Sequence, residues 1–436
     1  MLDDVASGKW KIGGASRWWL HHSLKSLTAD LKQLGIALIL RRGSAQTIIP
    51  KLAAEIGAGA VFWNRCYEPF AVARDTAIKS ALTDAGVKAE SFGAALITEP
   101  WTVKTQSGTP FRVFTPFWNV LHKDHRPAKP LGAPKFRQAP QQVSGDDLDD
   151  WHLLPTRPNW AAGFGEDWKP GEAGAQRRLK AFIEDGLRNY PTTRNLPGIE
   201  GVSRLSPYLH WGEISVRQVW HAIDFHAGGD GAYLRELAWR DFAHQLLWQF
   251  PDLPEKPFHE EFHAFPWRKD AEALKAWQTG QTGYPFVDAG MRQLWATGWM
   301  HNRVRMVVAS FLVKHLLLPW RVGEDWFWDC LVDADLANNS MNWQWVAGSG
   351  ADAAPYFRIF NPVLQGEKFD KGGAYVRRWV PEIASLPDKW LHRLWEAPED
   401  VLAKAGISPG RTYPRPIVNH ETARQRALEA FKTIRQ

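Results

Sequence analysis

The hydrophobic period of this sequence changes once, and the change divides the chain. Up to about residue 123, amphipathic stretches alternate with short unbroken apolar runs, whereas beyond about residue 160 the apolar residues recur at helical spacing. Such a pattern confines the chain to an α/β part followed by a nearly all-α part. Ser16 is placed to cap a helix through Trp18, Leu20, Leu24, Leu27 and Leu31 that stops at Gly35. Ile36–Leu40 then reads as a strand buried on both faces. The alternation repeats with a helix from about Ala45 to Ile56, a strand at Ala60–Trp63, a helix from about Phe70 to Ala85, and an extended stretch to Ile97. This calls for a Rossmann-like parallel sheet covered by helices. Its first recognisable element is a helix, so the sheet reads as lacking its first strand.

Between 124 and 159 the periodicity fails. Pro127, Pro130, Pro134, Pro140, Pro155 and Pro158 interleave with polar residues and the acidic run Asp146–Asp150, the signature of a connector. The expected limits are therefore an α/β domain over 1–123, N-terminally incomplete, a connector over 124–159 and a helical domain over 160–436.

The net charge of +6 suggests an anionic partner, but residues 1–150 hold 19 Lys and Arg against 14 Asp and Glu, and the rest 34 against 33. Any nucleic-acid footprint in the helical half must then be a local patch. Two cysteines, Cys66 and Cys330, exclude a disulfide framework and a four-thiolate metal site and suit a reducing cytoplasm. No apolar run reaches the ~18 residues of a membrane span, so no membrane partner is expected. The chain reads as a cytoplasmic protein. The one anomaly of composition is 25 tryptophans, most of them in the helical half.

Five stretches carry candidate chemistry. His259-Glu-Glu-Phe-His263 has the spacing of a zinc-protease helix, but Pro257 and Pro266 leave that helix no room, so no metal is assigned. Gly201-Val-Ser-Arg-Leu-Ser206 places two hydroxyls and an Arg beside a helix start, which suits phosphate; Ser before Pro is also an ordinary way to begin a helix. Glu236, Trp239, Arg240 and Ala243 share one helix face, as an exposed ion pair beside a packed Trp also would. Val304, Val307, Val308, Phe311 and Leu312 form an apolar core stripe, leaving Asn302, Arg303 and Met306 on the opposite side, where Met is unusual for a solvated face. Finally, Asp333, Asp335, Asn338, Asn339 and Asn342 stand among the aromatics of 326–345, and polar groups in such surroundings need partners. A flat heteroaromatic cofactor would satisfy both stacking and hydrogen bonding.

These stretches, with Thr282-Gly-Tyr-Pro-Phe-Val-Asp-Ala-Gly-Met-Arg292 and Asp352-Ala-Ala-Pro-Tyr-Phe-Arg-Ile-Phe-Asn-Pro362, resemble the photolyase/cryptochrome family, specifically its class I cyclobutane pyrimidine dimer photolyases. The resemblance implies an α/β antenna domain and a helical domain that holds FAD and takes a flipped dimer from UV-damaged DNA. It implies that Tyr190, Val202, Ser203, Arg204, Leu205 and Ser206 hold the FAD phosphate region. Asp333, Ala334 and Asp335 would anchor the flavin end, with Arg305 pairing Asp333 and Asn339 beside flavin N5. Glu236, Trp239, Asn302, Met306 and Trp345 match the dimer pocket, and Arg194, Arg240, Arg303 and Gln365 match positions that touch the DNA. Trp267, Trp320 and Trp343 match a chain that passes electrons from the surface to FAD.

The implied reaction is a light-driven electron transfer from reduced FAD to the dimer, splitting of its two inter-base bonds and return of the electron, a carbon-carbon lyase step. Family members usually begin with a strand and an Arg-rich turn that are absent here, so an incomplete N-terminus is expected. The Asn-Glu pair of folate-binding members is replaced by Phe70 and Ala71. A second antenna chromophore, of 8-hydroxy-5-deazaflavin or folate type, thus has no assigned identity. A cryptochrome-type photoreceptor without repair activity is the alternative, against which stand Asn339, Met306 and the short tail to Gln436. The expected oligomeric state is a monomer.

Overall fold

The computed structural model describes residues 1–133, 143–223 and 230–435; Pro134 and Pro140 of the expected connector lie outside the described residues. The chain forms two compact units. One comprises Met1–Glu184, Ser203–Asp252 and Val332–Asn338, the other Asp185–Val202, Leu253–Leu331 and Asn339–Gln436. No helix among the described residues is long and apolar enough to cross a membrane.

The first unit holds the α/β part. Helix α1 (Gly14–Gln33) begins at Gly13 instead of Ser16. Packing moves the start upstream: Trp18 meets Phe164 edge-on at 5.3 Å, and Trp19 meets Trp168 and Tyr208 at 5.4 and 5.0 Å. Burying that turn outweighs the signal of a serine cap. Helix α2 (Ala45–Glu55) leads to strand β1 (Ala60–Asn64), helix α3 (Pro69–Asp84) and strand β2 (Lys88–Phe92). The two strands pair in parallel with Ala60 opposite Lys88 and Asn64 opposite Phe92, so α3 is the crossover of a βαβ unit. Its core joins Ala45, Ala53, Ile78 and Leu82.

The apolar run Ile36–Leu40 joins no sheet among the described residues, contrary to expectation. Its neighbours offer only scattered bonds. Leu2 N–H donates to Arg41 O and Asp146 N–H to Leu40 O, both at 2.9 Å. Leu2, Leu40, Trp151 and Leu153 then close a small core. The Asp146 carboxylate also accepts from Arg42 N at 2.8 Å and the Trp151 indole at 3.2 Å. Helix α4 (Phe114–Asp124) lies on the helix Asp230–Gln249, with Phe117 and Phe242 at 5.3 Å.

In the second unit the helices Pro285–Thr297 and Asn302–Ser310 and the turn Phe311–His315 build the core. Val304, Val307, Val308, Phe311 and Leu312 are all completely buried, as their spacing requires. Asp288 ties the start of the first of these helices, accepting from Thr282 N, Thr282 Oγ1, Gly283 N and the Tyr413 hydroxyl at 2.5 to 3.0 Å.

Candidate functional site

In the first unit, the short helix Ser206–His210 and the start of the helix Leu336–Ala347 bring together the two candidate cofactor segments. Ser206 Oγ donates to Asp333 Oδ2 at 2.6 Å, and the Trp211 indole donates to Val332 O at 3.1 Å. Arg204 sits in the left-handed region, φ +52°, which turns the chain between Ser203 and Ser206. Its guanidinium lies 5.0 Å over the Trp168 ring and 3.6 Å from Asp167, so what this turn offers a ligand is backbone and hydroxyl groups. Leu205 is buried behind it, and Ser203 Oγ accepts from Tyr233 OH at 2.8 Å.

Asp335 caps the helix Leu336–Ala347: Oδ1 accepts from Asn338 N and Nδ2, both at 2.8 Å. Its other oxygen lies 3.4 Å from His244 Nε2 and 3.6 Å from His210 Nδ1. Burial pushes this carboxyl up, but His244, His210 and Arg240 outweigh it and hold it well below the usual carboxylate range. Asp333, Ala334 and Asp335 are thus buried acceptors on a fixed backbone, at 8, 3 and 7 % exposure.

On the helix Asp230–Gln249, Glu236 and Trp239 are half-buried. Trp239 stacks on Phe114 with centroids 3.6 Å apart and planes 9° from parallel, which fixes the orientation of the indole. Arg240 is committed to protein carbonyls, donating to Ala95 O and, at 3.5 Å, to Leu209 O.

The second unit carries a basic cluster. Arg303 donates twice to Asn195 Oδ1, at 3.1 and 2.7 Å, and lies 4.5 Å over the Phe369 ring. Burial, Arg194 and Arg358 all weaken its hold on its proton, so three guanidiniums share one region. Arg194 itself lies 5.5 Å over the buried Tyr190 ring. Val202 and Gln365 are half-buried, and Gln365 belongs to the helix Pro362–Phe369. Asn302 is exposed and Met306 half-buried on one helix, and Trp345 is half-buried. Arg305 Nε donates to Met300 O at 2.8 Å.

Asn339, 9 % exposed, donates its amide to Glu324 O at 3.0 Å, which fixes which way the side chain faces. Trp343 and Trp320 are buried and Trp267 is half-buried. Trp343 meets Trp277 edge-on at 6.2 Å and Phe327 at 5.0 Å, while Trp267 meets Phe265 at 4.4 Å. Sequence reasoning missed His210, His244, Glu324, Asn195 and Arg358. Only Arg358, inside a quoted motif, carried a signal that could have found it. His259 precedes and His263 lies within a 3₁₀ turn, Glu260–Ala264, in place of an α-helical face.

The polar set of the first unit matches what FAD asks of a protein: hydroxyl and backbone donors for a diphosphate, and buried carboxylates for ring N–H and sugar hydroxyls. Residues 233–433 match the family described as the FAD binding domain of DNA photolyase, and residues 1–135 match DNA photolyase. A deoxyribodipyrimidine photo-lyase of Agrobacterium fabrum is 51% identical over 98% of this chain and 90% of its own length. Cryptochrome-1 of Arabidopsis thaliana is 38% identical over 98% of this chain and 65% of its own. The crystal structure of a bacterial class III photolyase from Agrobacterium tumefaciens superimposes with a TM-score of 0.95 at 51% identity, covering 97% of this chain and 89% of that one. With its buried carboxylates, oriented amide and guanidinium cluster set in such a sequence, the chain belongs to the photolyase/cryptochrome family.

Proposed function

We propose that this protein is a deoxyribodipyrimidine photo-lyase, which repairs cyclobutane pyrimidine dimers in UV-damaged DNA with light. The observation that carries the reading is the half-identity, over nearly the whole chain, to a relative of that name. The class III designation of the similar Agrobacterium structure is better supported than class I. The limits 1–123, 124–159 and 160–436 assign antenna domain, connector and FAD-and-lesion domain. The working form is a cytoplasmic monomer.

When bound, reduced FAD supplies an electron on illumination. The chain's own residues do the rest. Ser203, Ser206 and the backbone of 202–206, with Tyr190, hold the diphosphate region, while Asp333, with Arg305 as its pair, and Asp335 accept hydrogen bonds from the polar edge of the cofactor. Asn339, pinned through Glu324 O, would be the amide that serves the flavin ring when FAD is bound. Trp239, already clamped against Phe114, and Trp345 stack on the puckered dimer. Glu236 and Asn302 hydrogen-bond its pyrimidine edges beside Met306. Arg194 and Arg303 neutralise phosphates, where three crowded guanidiniums gain most from an anion, and Gln365 adds a polar contact. Arg240 acts from behind, through its carbonyl contacts. Trp267, Trp320 and Trp343 would be the residues that carry electrons inward when FAD is bound.

The test is dimer content in UV-irradiated duplex, measured with reduced protein under blue light and in the dark. Loss of dimers only in the light supports the proposal. Photoreduction without dimer loss would establish the cryptochrome-type reading instead, and FAD retained with no response to light would overturn both. The absorbance spectrum of the same sample reports any second chromophore.

A further inference from the structure

Lys314 lies in the turn Phe311–His315 and is 1 % exposed, a rare place for an ammonium. Among the described residues no carboxylate meets it. Nζ donates to Arg358 O at 3.0 Å and stands 5.0 Å from the Tyr356 ring centroid. Both partners belong to one turn, in which Arg358 N–H donates to Pro355 O and Ile359 N–H to Phe357 O, both at 2.9 Å. Tyr356 is the buried root of the turn, stacked on Phe431 at 4.4 Å and packed with Phe262 and Phe265. Phe360 N–H adds a bond to Ser310 Oγ at 3.4 Å. From that root Phe357 and Arg358 project outward, and Arg358 is one of the two guanidiniums that share a region with Arg303.

A buried charge with one neutral acceptor costs stability, so the site is poorly explained as packing; a methionine would fill the space without that cost. We propose that Lys314 is a positioning residue for DNA binding: its ammonium holds the 355–359 turn by the Arg358 carbonyl, so that the Arg358 guanidinium stands with Arg194 and Arg303. The inference rests on the DNA-binding reading above.

Burial, then Arg358, push the Lys314 ammonium down to about 7. Phosphate placed at the guanidinium cluster favours the charged form, so binding takes up a proton and affinity falls as pH rises through about 7. The other titratable groups around it do not share this window. His315, beside it in the chain, is pushed down to about 3, His420 is lowered by burial, and the buried Tyr356 phenol is raised. Arg426 donates to His315 O, and burial, then Arg268, lower it from a value that lies far above this window.

The experiment measures binding of a dimer-containing duplex by the FAD-loaded protein from pH 6 to 8.5, for the wild type, Lys314→Met, Arg358→Gln and the double variant. Expected are binding about 5-fold weaker for Lys314→Met at pH 6.5, an unchanged dimer-splitting rate at saturating DNA, and a pH profile that is flat where the wild type declines. The double variant should bind no more weakly than Arg358→Gln alone. Wild-type affinity for Lys314→Met, or equal losses with and without Arg358, would overturn the inference while leaving the DNA reading intact. A wild type that does not bind the duplex would overturn both. The wild-type pH profile needs no variant, so a poorly folding substitution does not remove the test.

Discussion

Trp343 is held by contacts that leave its ring no freedom. A Cβ added at Gly323 would lie 2.1 Å from Trp343 Cη2 and 2.6 Å from Leu312 Cδ2, so only glycine allows the indole to sit where it does. Gly323→Ala is expected to cost about 1–3 kcal/mol in chemical denaturation, because a core ring must move. If Trp343 is an electron carrier, Trp343→Phe should slow photoreduction and leave repair by pre-reduced protein largely intact. Equal loss of both activities would count against that role. Asp335 is expected to show its contribution through pH. Its folded-state pKa is depressed, so its stabilisation is complete above the unfolded value near 4 and disappears as pH falls through the lower folded value. Asp335→Asn should therefore cost about 3 kcal/mol near neutrality, and its difference from wild type should shrink in denaturation curves taken below pH 4.

At the scale of elements, the sequence was legible where local pattern and tertiary packing agree. The helix of 45–55, the strand from Ala60 and the helix from Pro69 stand where periodicity places them. Ile36–Leu40 carries the same apolar run as a true strand, yet pairing depends on a neighbouring edge, and no local pattern reports one. The candidate site behaves alike. Asp335, Asn339 and Arg303 were singled out from their own stretches, whereas Asn195, 108 residues from Arg303, is tied to it only by the fold. The Asp288 knot is a further such case, since Tyr413 reaches it across 125 residues. Burial raises the Asp288 carboxyl, which its four donors must offset. Tyr413→Phe removes one donor from a buried acceptor and is expected to cost ~1–3 kcal/mol. Protection of the first turn of the helix Pro285–Thr297 against hydrogen exchange should fall with it; an unchanged melting curve and unchanged exchange would refute the role given to the knot.

For the whole molecule, net charge alone cannot say how DNA is held. A total of +6 is small, and the excess of base over acid lies almost wholly before residue 150. If binding used that diffuse field, any lysine would contribute in proportion to its charge. The structure instead gathers Arg194, Arg303 and Arg358 in one unit, close enough that the other two weaken Arg303's hold on its proton, and phosphate contacts at such a patch release condensed counterions one by one. The two pictures differ in salt dependence. Each lost phosphate contact should reduce the slope of log affinity against log salt by about 0.9, so Arg194→Gln and Arg303→Gln should each flatten it by about that amount. Lys404, exposed and 3.4 Å from Asp400, is the control, and Lys404→Gln should leave the slope unchanged. If Lys404 shifted the slope as much as Arg303 does, the patch would have to be abandoned in favour of the field, and damaged and undamaged duplexes should then lose affinity with salt in parallel. A patch that engages phosphates around an extruded dimer requires the opposite: the arginine variants should change the slope for damaged duplex more than for intact DNA.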